Sequence, residues 1–200
     1  GWGFLFSDKV DLSIPARSPC EGGPVFFCLV FVYASRYNER EELMSKLILD
    51  PASGSRMFYF DKGDERVVFG DIRNERHILS DGRKLVVEPD TITDFRNLQF
   101  ADKQFKLVIF DPPHMTSLGK NSWMAKKYGR VEETWETDLA AGLSECWRVL
   151  DDYGTLIFKW NEYDIPVSKI LSLFEEKPVM GHRSGKLSKT HWIVYFKSIE

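Results

Sequence analysis

The sequence predicts an α/β fold, a mostly parallel central sheet with helices on both faces, from three observations. Short apolar runs bounded by turn residues alternate with helical stretches, the arrangement of parallel strands joined by crossover helices. The runs are unbroken rather than alternating in polarity, as strands buried on both faces are. Three of them end in an acid, Asp50, Asp71 and Asp111, and in a doubly wound sheet the carboxyl ends of parallel strands share the edge where ligands bind.

The runs are Leu47-Ile48-Leu49, Val67-Val68-Phe69, Leu107-Val108-Ile109-Phe110, Leu156-Ile157-Phe158 and Trp192-Ile193-Val194-Tyr195-Phe196. Between the third and fourth a helix is expected, because Trp135, Leu139, Leu143, Trp147 and Leu150 recur at spacings of four and three. Glu132 and Glu133 would stand in its first turn, where acids complement the helix dipole. Asp151-Asp152-Tyr153-Gly154 reads as the turn into the next strand, Asn38–Leu47 as a second helical stretch, and His77–Val87 as a hairpin around Ser80-Asp81-Gly82-Arg83. With no internal repeat and no low-complexity linker, one domain is expected over residues 37–200. Residues 1–36, Gly- and Pro-rich around Ser18–Pro24, form a lead-in to which no chemistry is assigned.

The 200 residues are 43% hydrophobic and 28% charged, with a net charge of −3. That balance excludes a disordered chain, a collagen and a disulfide scaffold. Cys20, Cys28 and Cys146 include no C-x-x-C pair, and four scattered histidines offer no zinc spacing. A reduced, cytoplasmic chain without a structural metal is expected. The longest apolar run, Pro24–Ala34, is about half of what a membrane-spanning helix needs, so no membrane contact is expected. Lys9 and Arg17 precede it and Ala34 and Ser35 come after, but it begins late for a signal peptide.

After the first strand, Asp50-Pro51-Ala52-Ser53-Gly54-Ser55 forms a tight turn of small residues that lets backbone approach a ligand closely. With one glycine it is neither G-x-G-x-x-G nor a P-loop. Asp71 stands after Asp50 at the distance of a second-strand carboxylate that accepts hydrogen bonds from a ribose diol. An adenosine-containing ligand with little or no phosphate is expected, and S-adenosylmethionine fits better than NAD.

The strongest motif is Asp111-Pro112-Pro113-His114, directly after the third run. An exocyclic amine on adenine or cytosine is a poor nucleophile because its lone pair is delocalised into the ring. Acceptors aimed at both amine hydrogens, the Asp111 carboxylate and the Pro112 carbonyl, favour the pyramidal nitrogen that attacks a methyl in line. Two prolines stiffen the loop, and His114 would offer a flat face to an extruded base.

On these residues the chain resembles the class I, Rossmann-like, S-adenosylmethionine-dependent methyltransferases, specifically the amino-methyltransferases with a D/N/S-P-P-aromatic motif. More narrowly it resembles small bacterial and phage proteins described as DNA methyltransferases. That resemblance runs through Asp50–Lys62, Asp94-Phe95-Arg96-Asn97, Asp111–Gly129, Phe158-Lys159-Trp160-Asn161 and Gly181–Trp192. It implies that Asp50, Gly54 and Ser55, with Pro51 and Ala52, line the methionine part of the cofactor. Asp71 would serve the ribose, Asp94 and Phe95 the adenine, and Asp111–His114 the target base, with Ile72 also in the cofactor site. The chain departs from the pattern at Ala52 and Ser53, where glycines are usual, and at His114, where Tyr, Phe or Trp is.

Two segments carry bases and no acids. Met115–Arg130 holds Lys120, Lys126, Lys127 and Arg130, and His182–His191 holds Arg183, Lys186 and Lys189. Both come after ligand-edge elements, which suits phosphate contacts around an extruded base, with Trp123 as a stacking surface. Either segment alone reads first as a solvated loop, Trp123 equally as a lid over the core, and Trp160 and Asn161 as cleft lining, with packing the equal alternative for Trp160. The span between Asp50 and Asp111 and the chain beyond His114 are consumed by fold elements, so weak sequence specificity is expected, or specificity supplied by a partner.

The leading expectation is methyl transfer from S-adenosylmethionine to a base amino group, adenine N6 before cytosine N4 and DNA before RNA. A catalytically degenerate nucleic-acid-binding module is the second, motivated by Ala52, Ser53 and His114. A protein amide is a further acceptor compatible with the same geometry, whereas a nucleotide-dependent oxidoreductase would need the missing glycines.

Overall fold

The computed structural model describes residues 46–79, 81–116 and 133–199. The chain divides into two units, Gly1–Arg40 and Glu41–Glu200, and the described residues belong to the second. The lead-in, the helix expected from Asn38 up to its last two residues, Glu132, and the candidate contacts Lys120, Trp123, Lys126 and Lys127 lie outside the described residues.

Strands β1 (Ile48–Asp50), β2 (Val67–Asp71), β5 (Thr91–Ile92), β6 (Phe105–Phe110), β7 (Leu150–Asn161), β8 (Met180–Arg183) and β9 (Thr190–Phe196) form a seven-stranded sheet in the order β5-β2-β1-β6-β7-β9-β8. The pairs from β5 to β7 are parallel, whereas β9 runs antiparallel between β7 and β8. The chain leaves β1 toward β2 on one side and returns to β6 on the other, a topological switch point that opens a crevice beyond the carboxyl ends of β1 and β6. The expected hairpin is present as β3 (Glu75–Ile78) and β4 (Lys84–Val87), paired antiparallel between β2 and β5.

The helix between β6 and β7 is α1 (Trp135–Val149), and its buried stripe is Leu139, Gly142, Leu143, Cys146 and Val149. Its first-turn acids are Glu136 and Asp138, not Glu133, which precedes the helix. Leu150 belongs to β7 rather than to the helix. The strand starts at once because Asp151–Gly154 is part of it and not a separate turn. Tyr153, at φ 59°, makes the bend there. Gly154 is required beside it, since a Cβ would come within 2.7 Å of the Asp151 carbonyl oxygen.

A short second helix, α2 (Val167–Leu171), contributes Ile170 to the core. It packs beside α1: Lys169 pairs with Glu136, and Trp147 meets Phe174 edge-on at 5.6 Å. Both helices cover the sheet face formed by Val108, Phe110, Leu156, Phe158, Ile193 and Tyr195. The expectation of unbroken burial holds for β2, buried at all five positions. It is corrected for β6, β7 and β9, where fully buried residues alternate with less buried ones, because both described helices cover the same face of the sheet. No helix among the described residues is long and apolar enough to cross a membrane, and Cys146 is a buried free thiol.

Candidate active site

Parallel pairing from β5 to β7 brings Asp50, Asp71, Asp111 and Asn161 to one edge of the sheet. Because β9 runs the other way, its first residues lie at that edge too, with Asn161 opposite Thr190 and Trp160 opposite His191. The β8–β9 turn carrying Lys186 and Lys189, with Arg183 at its root, is therefore on the same edge as Asp111.

The turn after β1 is pressed onto β2. Ser53 N–H donates to the Gly70 carbonyl at 2.8 Å, and a Cβ on Gly70 would meet Thr93 Cγ2 at 2.6 Å and the Asp50 carbonyl oxygen at 3.4 Å. Gly54 adopts φ +52°, a left-handed conformation that glycine takes without a Cβ penalty, and its N–H reaches Asp71 Oδ2 at 2.9 Å. Arg56 staples the outgoing loop: its guanidinium donates to the Lys62 and Glu88 carbonyls and to Asp90, and lies 3.9 Å from the centre of the Phe69 ring.

Asp50 is completely buried. Its carboxylate accepts from Ala52 N–H at 3.2 Å and from the Tyr59 hydroxyl at 2.9 Å. Burial nevertheless pushes its pKa up to about 7, the two hydrogen bonds working against the rise and the negative charges of Asp111 and Asp71 adding to it. The Tyr59 hydroxyl is pushed well above its ordinary value by burial and by the Asp50 charge.

Asp71 is engaged by the protein on both oxygens. Oδ1 accepts from Arg73 N–H and Nε, and Oδ2 from Gly54 N–H and Arg73 NH2. A ribose diol would reach this carboxylate only by displacing Arg73. Ile72 is 57% exposed, an apolar surface at the same edge. Asp94 is held by Arg96, which also bridges to Asp138 of α1. Phe95 packs against Phe110 at 5.2 Å and over Gly142, so it is a wall of the core.

Asp111 and Pro112–His114 leave β6 as an irregular loop whose end is tied down by Thr116 N–H donating to Asp164 at 2.7 Å. Lys159 of β7 donates to Asp111 Oδ2 at 2.5 Å. The contact is a result of strand register, since Phe110 pairs with Phe158 and the next residues are neighbours. His114 turns its ring edge to Trp160, with centroids 6.0 Å apart, and hydrogen-bonds the Pro112 carbonyl; burial lowers its pKa, which leaves the imidazole neutral. Trp160 itself is fully buried, stacked on Phe158, with its indole N–H on the Ile165 carbonyl. Of its two readings, packing is correct.

One cleft is lined by Ala52, Gly54, Ser55, Phe58, Arg73, Asp111, Pro112, His114 and Lys159. The β1 turn and the Asp-Pro-Pro-His loop therefore face each other, although they are far apart in sequence. Lys159, Tyr59 and Arg56 lie in segments that carry the resemblance but received no role from the sequence, and Arg73 lies outside them. Lys159 had a legible signal, a charge inside the apolar run from Leu156 to Trp160, because a half-buried charge needs a partner. At the basic edge, Arg183 pairs with Glu162, and Lys189 lies 4.6 Å from the centre of the Tyr163 ring. Among the described residues no cluster of His, Cys, Asp and Glu forms a metal site.

A parallel sheet with its switch point between β1 and β6, a reversed strand inserted beside β7, and acids at the carboxyl ends of β1, β2 and β6 are now in place. The fold is a doubly wound, Rossmann-like α/β sheet. No family model and no curated protein matches the chain. Among solved structures, it is similar to the PH0226 protein from Pyrococcus horikoshii OT3 (17% identity over 83% of this chain and 91% of that one, TM-score 0.47). It is also similar to a TehB-like SAM-dependent methyltransferase from Corynebacterium glutamicum (14% identity, 86% and 99% covered, TM-score 0.48). A third is 1,6-didemethyltoxoflavin-N1-methyltransferase from Burkholderia thailandensis, crystallised with S-adenosylhomocysteine (13% identity, 96% and 99% covered, TM-score 0.44).

Proposed function

We propose that this protein transfers a methyl group from S-adenosylmethionine to an exocyclic amino group of a nucleic-acid base, adenine N6 first. The observation that carries the reading is that the Asp111-Pro112-Pro113-His114 loop and the Ala52–Ser55 turn face each other across one cleft, which would set an amine acceptor opposite a small-residue cofactor turn.

The residues present fit the cofactor. Ser53 Oγ is buried in the turn with no hydrogen-bond partner among the described residues, an orphan that a bound polar group would satisfy. Asp50 has no cationic partner among the described residues to offset its burial, and the cofactor is cationic. Asp50 and the Ala52–Ser55 turn would hold its methionine part, Ile72 and Phe95 would flank its adenine, and Asp71 would take the ribose once Arg73 moves aside. When bound, it supplies an electrophilic methyl on a sulfonium.

The chain's own residues prepare the acceptor. Asp111 Oδ1 accepts no hydrogen bond among the described residues, and it and the Pro112 carbonyl would take the two amine hydrogens, favouring the pyramidal nitrogen needed for attack. Asp111 Oδ1 would receive the proton that the amine releases on methylation. Lys186, exposed at the same edge, with Arg183 and Lys189, would contact phosphates. Residues Lys120, Trp123, Lys126 and Lys127 are proposed for the same role from their sequence position, directly after the loop.

The test is incubation with methyl-labelled S-adenosylmethionine and, separately, duplex DNA, single-stranded DNA and structured RNA, with nucleoside analysis of each. Label in N6-methyladenine supports the proposal as stated, and label in N4-methylcytosine moves it to the other base. Mapping on random-sequence DNA tests for specificity: scattered sites support weak intrinsic selectivity or a specificity partner, and a sharp motif of several bases overturns it. The second reading, a degenerate binding module, is favoured by Arg73 occupying Asp71. No heat of S-adenosylmethionine binding at high protein concentration would establish it in place of the first.

A further inference from the structure

We propose that Lys159 is a positioning residue that aims the Asp111 carboxylate and, by its charge, restricts the acceptor to an uncharged amine. The inference rests on the methyl-transfer reading above and goes beyond it by naming what the acceptor slot rejects.

A carboxylate alone at the mouth of a cleft would favour an alkylammonium, such as a lysine side chain or a polyamine, over the neutral amino group of a base. Here the carboxylate is not alone. Lys159 Nζ bonds Asp111 Oδ2, and the two side chains are only 22% and 19% exposed, so the pair is poorly screened by water. Among the described residues Asp111 is the one hydrogen-bond acceptor of Lys159. Its ammonium also lies 5.5 Å from the centre of the Phe58 ring and 5.7 Å from that of Trp192. Those rings meet edge-on at 5.7 Å, and with the β-strand backbone they limit where the lysine can swing.

This geometry acts on the acceptor in two ways. With Oδ2 tied to Lys159, the carboxylate rotor is fixed and Oδ1 becomes the oxygen presented to the amine, a matter of orientation on which in-line transfer depends. A second cation brought to Oδ1 would stand a few ångströms from the Lys159 ammonium, where like charges repel strongly at low effective dielectric. A neutral base amine meets no such repulsion. An amine that is protonated also has no lone pair for the methyl, so the charge that excludes it protects the site from unproductive occupancy.

The experiment compares wild type with Lys159→Met and Lys159→Arg on the nucleic acid that wild type methylates best. S-adenosylhomocysteine calorimetry on each checks that the cofactor turn is intact. Lys159→Met is expected to lower kcat by about tenfold or more with KM for the cofactor little changed, and Lys159→Arg to restore most of it, because the cation is what positions Asp111. Inhibition by n-butylammonium chloride, measured against equal potassium chloride, is expected to strengthen by about tenfold in Lys159→Met and to stay weak in wild type and Lys159→Arg. If Lys159→Met keeps wild-type kcat, or all three proteins respond alike to butylammonium, the inference is overturned while methyl transfer stands. If wild type methylates no nucleic acid, the methyl-transfer reading fails first and the inference with it.

Discussion

The Tyr59 hydroxyl donates to the Asp50 carboxylate at 2.9 Å, and the accepting side chain is completely buried. A loop residue thus satisfies the buried acid at the end of β1. The same contact explains why Phe58 can line the cleft while Tyr59 turns inward, its ring edge-on to Phe69 at 4.8 Å.

Asp50 should make stability fall as pH rises. Its folded value is about 7 against an ordinary 3.8, so between those values the folded protein keeps a proton that the unfolded chain has released. Stability is then greatest at low pH, declines through that window and levels off above it. The Tm advantage of Asp50→Asn over wild type should therefore grow between pH 5 and about 7.5. A difference independent of pH would show that Asp50 does not carry this proton.

Replacing Asp111 should separate chemistry from binding. Asp111→Ala is expected to lower methyl transfer by about a hundredfold or more, with S-adenosylhomocysteine affinity within about threefold of wild type, because the carboxylate acts on the acceptor. Parallel loss of folding, activity and cofactor affinity would mean that the Lys159–Asp111 pair is structural.

His114 is expected to matter through packing and through its hydrogen bond to Pro112. Burial depresses its pKa, so as pH falls the unfolded chain takes up the proton first. Stability from this group is present above the unfolded value of about 6.5 and drains away below it. The Tm of His114→Phe relative to wild type should therefore rise as the pH falls from 7 to 5, and transfer should stay within about tenfold. Complete loss of activity would point instead to proton chemistry at the imidazole.

Gly142 should be intolerant of a methyl group. A Cβ there would lie 2.6 Å from Phe95 and 2.9 Å from Phe110. Gly142→Ala gains helix propensity but overpacks this contact, and urea unfolding should show a net loss of about 1–3 kcal/mol. Unchanged stability would mean that the Phe95 wall yields freely.

Strands β1, β2, β6, β7 and β9, the hairpin and α1 were legible because each is specified by neighbours in sequence, apolar runs between turn residues and a repeat of three and four from Trp135 to Trp147, whereas the short β5, β8 and α2 carry no such pattern. The acids at the strand ends were legible for the same reason, since the strand-end rule needs only the runs and the parallel topology. The boundary at Leu150 was not, because its apolar side chain suits either a helix stripe or a buried strand, and pairing with Phe105 decided it.

Sequence by itself determined the α/β class, the Asp111-Pro112-Pro113-His114 loop and the edge on which it sits. Only the tertiary structure decided what each acid touches. Lys159 meets Asp111 because β6 and β7 are in register, and Tyr59 reaches Asp50 because Arg56 staples the intervening loop. These are side-chain contacts across strands and loops, and their energies depend on burial and charge at distances that no local pattern encodes.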